Sequence, residues 1–125
     1  MDAPLKALFI DRDPTLSAAV ADSLAGLKNI ALLQAGSFAL AESHLDQGNL
    51  DVLIIDIRVR RTGTGADFIA RFAELHPHAG IVLVSADPKY YTHYYPPYSV
   101  CLQKPYGVDD LVDAIVSAID RAPRA

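Results

Sequence analysis

Four short runs of this chain are apolar at almost every position, and that continuity limits the fold more than any other feature. The runs are Lys6 to Ile10, Ile30 to Leu33, Val52 to Ile55 and Ile81 to Val84. They are too short for helices, and they lack the polar alternation of strands with one wet face. Strands of this kind are covered on both sides, which requires helices above and below a parallel sheet. The segments between them supply those helices. Asp13 can cap a helix whose first residue is Pro14, with Leu16, Ala19, Val20 and Leu24 on its apolar face and Gly26 near its end. Ser37 can cap a second, with Phe38, Ala41 and Leu45 inward and a stop near Gly48. A third places Phe68, Ile69, Phe72 and Leu75 on one side and ends before Pro77.

A short fifth strand, Val100 to Leu102, precedes Lys104, and a last helix begins at Asp109 and Asp110, whose charges complement its dipole. Its inward residues are Leu111, Val112, Ile115 and Ile119. The expected fold is therefore α/β: a doubly wound five-stranded parallel sheet with helices on both faces. Right-handed crossovers leave few alternative topologies. One segment resists the pattern. Residues 87–99 carry Tyr90, Tyr91, Tyr94, Tyr95 and Tyr98, and Pro96-Pro97 forbids a full-length helix before the fifth strand. The helix between the fourth and fifth strands is thus expected to be shortened or irregular. Two readings of the tyrosines stay open: rings packed on the core, or an exposed aromatic patch for a partner or a homodimer.

The 125 residues suit one domain spanning 1–125, with flexible ends at 1–4 and 122–125. A net charge of −4 offers no basic face for nucleic acid, and Arg58, Arg60 and Arg61 are too few to make one. No apolar run approaches the roughly 20 residues of a membrane span, and the N-terminus lacks the pattern of a secretory signal. The single Cys101 excludes an internal disulfide and suits a reducing cytoplasm. Cys101 itself reads as a small buried core residue. The histidines, His44, His76, His78 and His93, have no zinc-site spacing and read as solvated.

In a doubly wound sheet, ligands gather outside the carboxyl ends of the strands. Those ends read Asp11-Arg12-Asp13, Asp56, Ser85 and Lys104. Clustered carboxylates need a cation, which a lysine or a divalent metal can supply. A carboxylate beside an ammonium and a hydroxyl can accept a phosphoryl group, with the cation neutralising charge on the transferring oxygens.

The order FIDRDP, DVLIID, LVSA and Lys104-Pro105 resembles the receiver (CheY-like, flavodoxin-like fold) domains of bacterial two-component response regulators, over nearly the whole chain. The resemblance implies that Asp56 accepts the phosphoryl group from a sensor histidine kinase, that Ser85 binds the new phosphate, and that Lys104 pairs with one of its oxygens. It implies a magnesium ion held by Asp11, Asp56 and the backbone carbonyl of Arg58, with Asp13 a further candidate ligand. It implies a cytoplasmic phosphoacceptor switch rather than an enzyme, signalling through protein contacts to a downstream or phosphotransfer partner. The chain ends soon after its last helix, so no effector domain is expected in it. Three positions depart from the pattern. Arg12 replaces the second acid of the pair that usually holds the metal, so magnesium binding should weaken; its guanidinium either points to solvent or enters the pocket. The loop after Asp56 lacks the usual Met-Pro pair and carries Gly63 and Gly65, read as closing it. Cys101 stands where an aromatic residue usually reports the switch.

Two other readings compete. A pseudo-receiver would use the fold as a binding module without phosphorylation, and Arg12 favours it. Asp11-Arg-Asp13 also resembles the first motif of haloacid-dehalogenase-type phosphatases, with Asp11 as nucleophile and Asp13 as acid/base. That reading leaves Asp56 unexplained, and a helix start at Pro14 leaves no room for those enzymes' insert. A flavodoxin-like carrier is disfavoured because an acidic first turn repels a flavin phosphate.

Overall fold

The computed structural model describes residues 5–11, 13–27, 30–46, 50–56, 64–86 and 96–123. In chain order these form β1 (Leu5–Ile10), α1 (Pro14–Leu27), β2 (Ile30–Ala35), α2 (Phe38–Glu42), β3 (Val52–Asp56), α3 (Thr64–Leu75), β4 (Gly80–Ser85), β5 (Val100–Gln103) and α4 (Val108–Arg121). All strand pairings are parallel and run in the order β2-β1-β3-β4-β5. This is the doubly wound sheet expected from the uninterrupted apolar runs. The expectation of a short helix between the fourth and fifth strands falls on residues outside those described.

Successive side chains of a strand point to opposite faces, and the core divides accordingly. Leu8, Ile10, Leu53, Ile55, Ile81 and Leu83 face one way, against Ala41 and Leu45 of the α2 region and Phe68, Ile69 and Phe72 of α3. Ala7, Phe9, Val52, Ile54, Val82 and Val84 face the other way, against Val20 and Leu24 of α1 and Leu111, Ala114, Ile115 and Ala118 of α4. Both faces are dry through the middle of β1, β3 and β4, so a polar side chain there would be buried away from water.

Local signals set the helix starts. Asp13 Oδ1 accepts from the backbone N–H of Thr15 and Leu16 at 3.0 and 3.1 Å, so Asp13 caps α1. Ser37 Oγ accepts from Leu40 N–H at 3.2 Å and caps α2. At α4, Asp110 Oδ2 reaches back to Gly107 N–H at 3.1 Å.

Several faces differ from the periodicity. Ala19 is exposed, and Ser17 is buried in its place. The sheet meets α1 along Ser17, Val20 and Leu24, a rotation of the helix that spacing alone leaves open. Leu75, the last residue of α3, is 51 % exposed and lies outside the core despite its spacing. The neighbouring His76 is half-buried rather than solvated: its ring lies 4.9 Å from that of Phe72, and Nε2 donates to the Leu45 carbonyl at 2.8 Å. Gly65 lies in the first turn of α3 and so does not close the preceding loop. Cys101 is exposed, not core. It sits on the edge strand β5, where Val100 and Leu102 turn toward the α1/α4 side and Cys101 and Gln103 turn outward. Tyr98 packs half-buried against the α2/α3 side of the core.

Candidate functional site at the carboxyl edge of the sheet

Strand register delivers the polar residues to one edge. Asp11 leaves the end of β1 and is held to the end of β2 by its N–H donating to the Ala35 carbonyl at 3.1 Å. Asp56, the last residue of β3, pairs with Val84 of β4. Ser85 ends β4 and pairs with Gln103 of β5. Lys104 follows at once, its N–H donating to the Ser85 carbonyl at 2.9 Å. Each strand ends within a residue of its neighbours' ends, so these four residues, distant in sequence, reach the same edge of the sheet.

The lysine ammonium joins the two acids. Lys104 Nζ lies 2.7 Å from Asp56 Oδ2 and 2.9 Å from Asp11 Oδ2. The Asp11 carboxylate is 4 % exposed, that of Asp56 is 16 % exposed, and the Lys104 side chain is 27 % exposed. At that burial both bonds are charge-assisted and only partly screened by water. Burial works against the Lys104 charge, but the hydrogen bonds to Asp56 and Asp11 outweigh it and hold its pKa above the ordinary lysine value. The remaining Asp11 oxygen, Oδ1, accepts from the Asp13 N–H at 2.9 Å. Ser85 is fully buried at the end of β4.

No family model and no curated protein matches the sequence. Solved structures do match it. A response regulator receiver protein from Sinorhizobium medicae superposes with a TM-score of 0.81 at 21 % identity, over 94 % of this chain and 95 % of that one. A response regulator receiver domain protein from Clostridium thermocellum gives 0.76 at 22 % identity, over 94 % and 95 %. The chemotaxis response regulator CheY4 of Vibrio cholerae gives 0.76 at 17 % identity, over 92 % and 98 %. The chain has the receiver-domain fold.

Within this receiver fold, Asp11, Asp56, Ser85 and Lys104 occupy the edge that their places in the sequence anticipate. Asp13 stands apart from them. Its carboxylate holds the start of α1, so nothing aims it at a metal or at a substrate on Asp11. Arg12, the Arg58 carbonyl, and Tyr90, Tyr91, Tyr94 and Tyr95 lie outside the described residues.

The donor set does not suit a tightly held divalent ion. Magnesium takes oxygen ligands in near-octahedral geometry. Here the two clustered carboxylates are already bridged by an ammonium, the third nearby acid is a helix cap, and position 12 is arginine. Among the described residues, no group of three or more His, Cys, Asp or Glu could hold a metal.

One residue of the site escaped the sequence reading. Tyr106, two positions after Lys104, is half-buried against the α1/α4 side of the core, and its hydroxyl oxygen is shielded from solvent with no hydrogen-bond partner among the described residues. Burial first, and then the charge of Asp11, push this phenol up to about 12. The available signal was an aromatic residue directly after Lys104-Pro105.

Proposed function

We propose that this chain is a phosphoacceptor signalling domain of the two-component type, taking a phosphoryl group on Asp56 from the phosphohistidine of a sensor kinase. The observation that carries the reading is the Lys104 ammonium shared between Asp56 and Asp11, with buried Ser85 at the next strand end. In the step, an Asp56 carboxylate oxygen attacks phosphorus, a P–O bond forms, and the N–P bond of the phosphohistidine breaks. The imidazole nitrogen leaves with the electron pair. Charge builds on the three equatorial oxygens. Lys104 pairs with one of them, and the Ser85 hydroxyl donates to another. The two carboxylates position Lys104 beforehand, so little reorganisation is needed as the charge develops. The output is protein contact with a downstream or phosphotransfer partner in the cytoplasm. The domain is a switch rather than a turnover enzyme, and its two states are separated by the differential affinity of phosphate for them.

The test is intact mass after incubation with a small acyl phosphate or phosphoramidate. The wild type is expected to gain one phosphoryl group and Asp56→Ala none. No gain in the wild type, or an undiminished gain in Asp56→Ala, overturns the reading. Steady turnover of an aryl phosphate that survives Asp56→Asn and is lost in Asp11→Asn would replace it with the phosphatase reading.

Magnesium is expected to bind weakly, because Lys104 already neutralises the acid pair and Arg12 stands where a second acid would serve. A spectroscopic titration checks this, and micromolar binding at neutral pH would contradict it.

A further inference from the structure

The Tyr106 hydroxyl has no role in the fold itself. Its oxygen is closed off from solvent, and it neither donates to nor accepts from any described residue. Leaving a buried hydroxyl unpaired is destabilising, so such a group calls for an explanation outside the folded chain. A phenylalanine would pack the same ring against the same core without that cost.

The surroundings indicate what the hydroxyl is for. Tyr106 lies two residues past Lys104, on the segment that leads from β5 into α4. The ring packs against the α1/α4 side of the core, and the charges of Asp11, Lys104 and Asp56 all bear on the phenol, so it lies within range of the acid pair's field. Burial and the two carboxylates both favour its protonated form, so it remains a neutral O–H donor at physiological pH. The Lys104 ammonium donates to both carboxylates, and the phenol donates to neither. A group bearing acceptor oxygens would complete it.

We propose that Tyr106 is a phosphoryl-binding residue, whose hydroxyl donates to an oxygen of the phosphoryl group on Asp56. The assignment rests on the phosphoacceptor reading above and extends it. A phosphoryl group presents three oxygens besides the one bonded to Asp56. Lys104 and Ser85 account for two of them, and Tyr106 supplies the third donor at a site whose carboxylates are poorly arranged for a metal to fill that role. The hydroxyl stays unpaired until the anion arrives, so its hydrogen bond contributes to the phosphorylated state alone.

The test compares wild type, Tyr106→Phe, Tyr98→Phe and Asp56→Asn, using trifluoroberyllate as the phosphoryl analogue and calorimetry as the readout, with thermal melting of each unliganded protein. Tyr106→Phe is expected to melt at or above the wild-type temperature without the analogue, yet to bind it about tenfold more weakly. Tyr98→Phe, whose ring packs on the opposite side of the sheet, is expected to bind it as the wild type does. Equal affinity in Tyr106→Phe and wild type overturns the assignment and leaves the phosphoacceptor reading intact. Lower melting of unliganded Tyr106→Phe also overturns it, by showing that the hydroxyl is already satisfied, as by a bound water. Failure of the wild type to bind the analogue, or binding undiminished in Asp56→Asn, removes the phosphoacceptor reading and this assignment with it.

Discussion

Lys104→Met is expected to slow phosphoryl acceptance at least about a hundredfold and to lower stability by about 2 kcal/mol. The methionine keeps the length and most of the volume of the side chain, so the loss reports the charge. Without the ammonium, Asp56 and Asp11 lose the cation that bridges them, and Asp11 is almost wholly buried. Breaking a fully buried pair costs more than 2 kcal/mol; the partial exposure of Lys104 and Asp56 brings the figure down. The rate falls further than the stability, because charge on the transferring oxygens peaks in the transition state, where the cation matters most. Intact mass followed over time and urea unfolding measure the two effects separately. An unchanged rate would show that another group neutralises the oxygens. Lys104→Arg should restore stability better than rate, since a planar fork does not place its charge where a compact ammonium does.

Gly80→Ala is expected to cost about 3 kcal/mol and Gly80→Val more, as overpacking against an element that cannot yield. A Cβ at this first residue of β4 would stand 2.5 Å from the Ala118 carbonyl carbon, 2.6 Å from its oxygen and 2.8 Å from Ile119 N. All three are backbone atoms of α4, so relief requires moving the helix rather than turning a side chain. The strain would also reach the segment carrying Lys104 and Tyr106, which leads directly into α4. Gly26→Ala provides the opposite case. Gly26 is helical, with nothing within 4 Å of an added Cβ, so alanine there should stabilise by about 0.5–1 kcal/mol. Urea midpoints of the two variants should therefore move in opposite directions. A Gly80→Ala midpoint equal to that of wild type would mean that α4 does not pack on β4 so closely.

Much of the candidate site could be read before any coordinates, for a reason that lies in the fold class. Strands dry on both faces tolerate polar residues only at their ends, and parallel strands all end on the same edge. Asp11, Asp56, Ser85 and Lys104 are the first polar residues at or after the core strands' ends and just beyond β5, and so they converge. The helix caps at Asp13 and Ser37 were equally legible, because a cap involves only the few residues that follow it.

What spacing could not supply was anything dependent on a second element. Periodicity leaves a helix free to rotate by one position, and the sheet settled it in favour of Ser17 over Ala19. The edge position of β5 turned Cys101 outward, and the closeness of α4 made Gly80 a tight backbone contact. Tyr106 is the clearest case. A tyrosine after Lys-Pro looks in sequence like one more ring for the core, and only packing reveals that its hydroxyl is buried with no partner among the described residues. The sequence by itself determined which residues reach the carboxyl edge, because solvation alone drives that sorting. Tertiary structure decided how they pair there, with one ammonium between two acids and one hydroxyl left over, because pairing depends on distances between strands that no local pattern encodes.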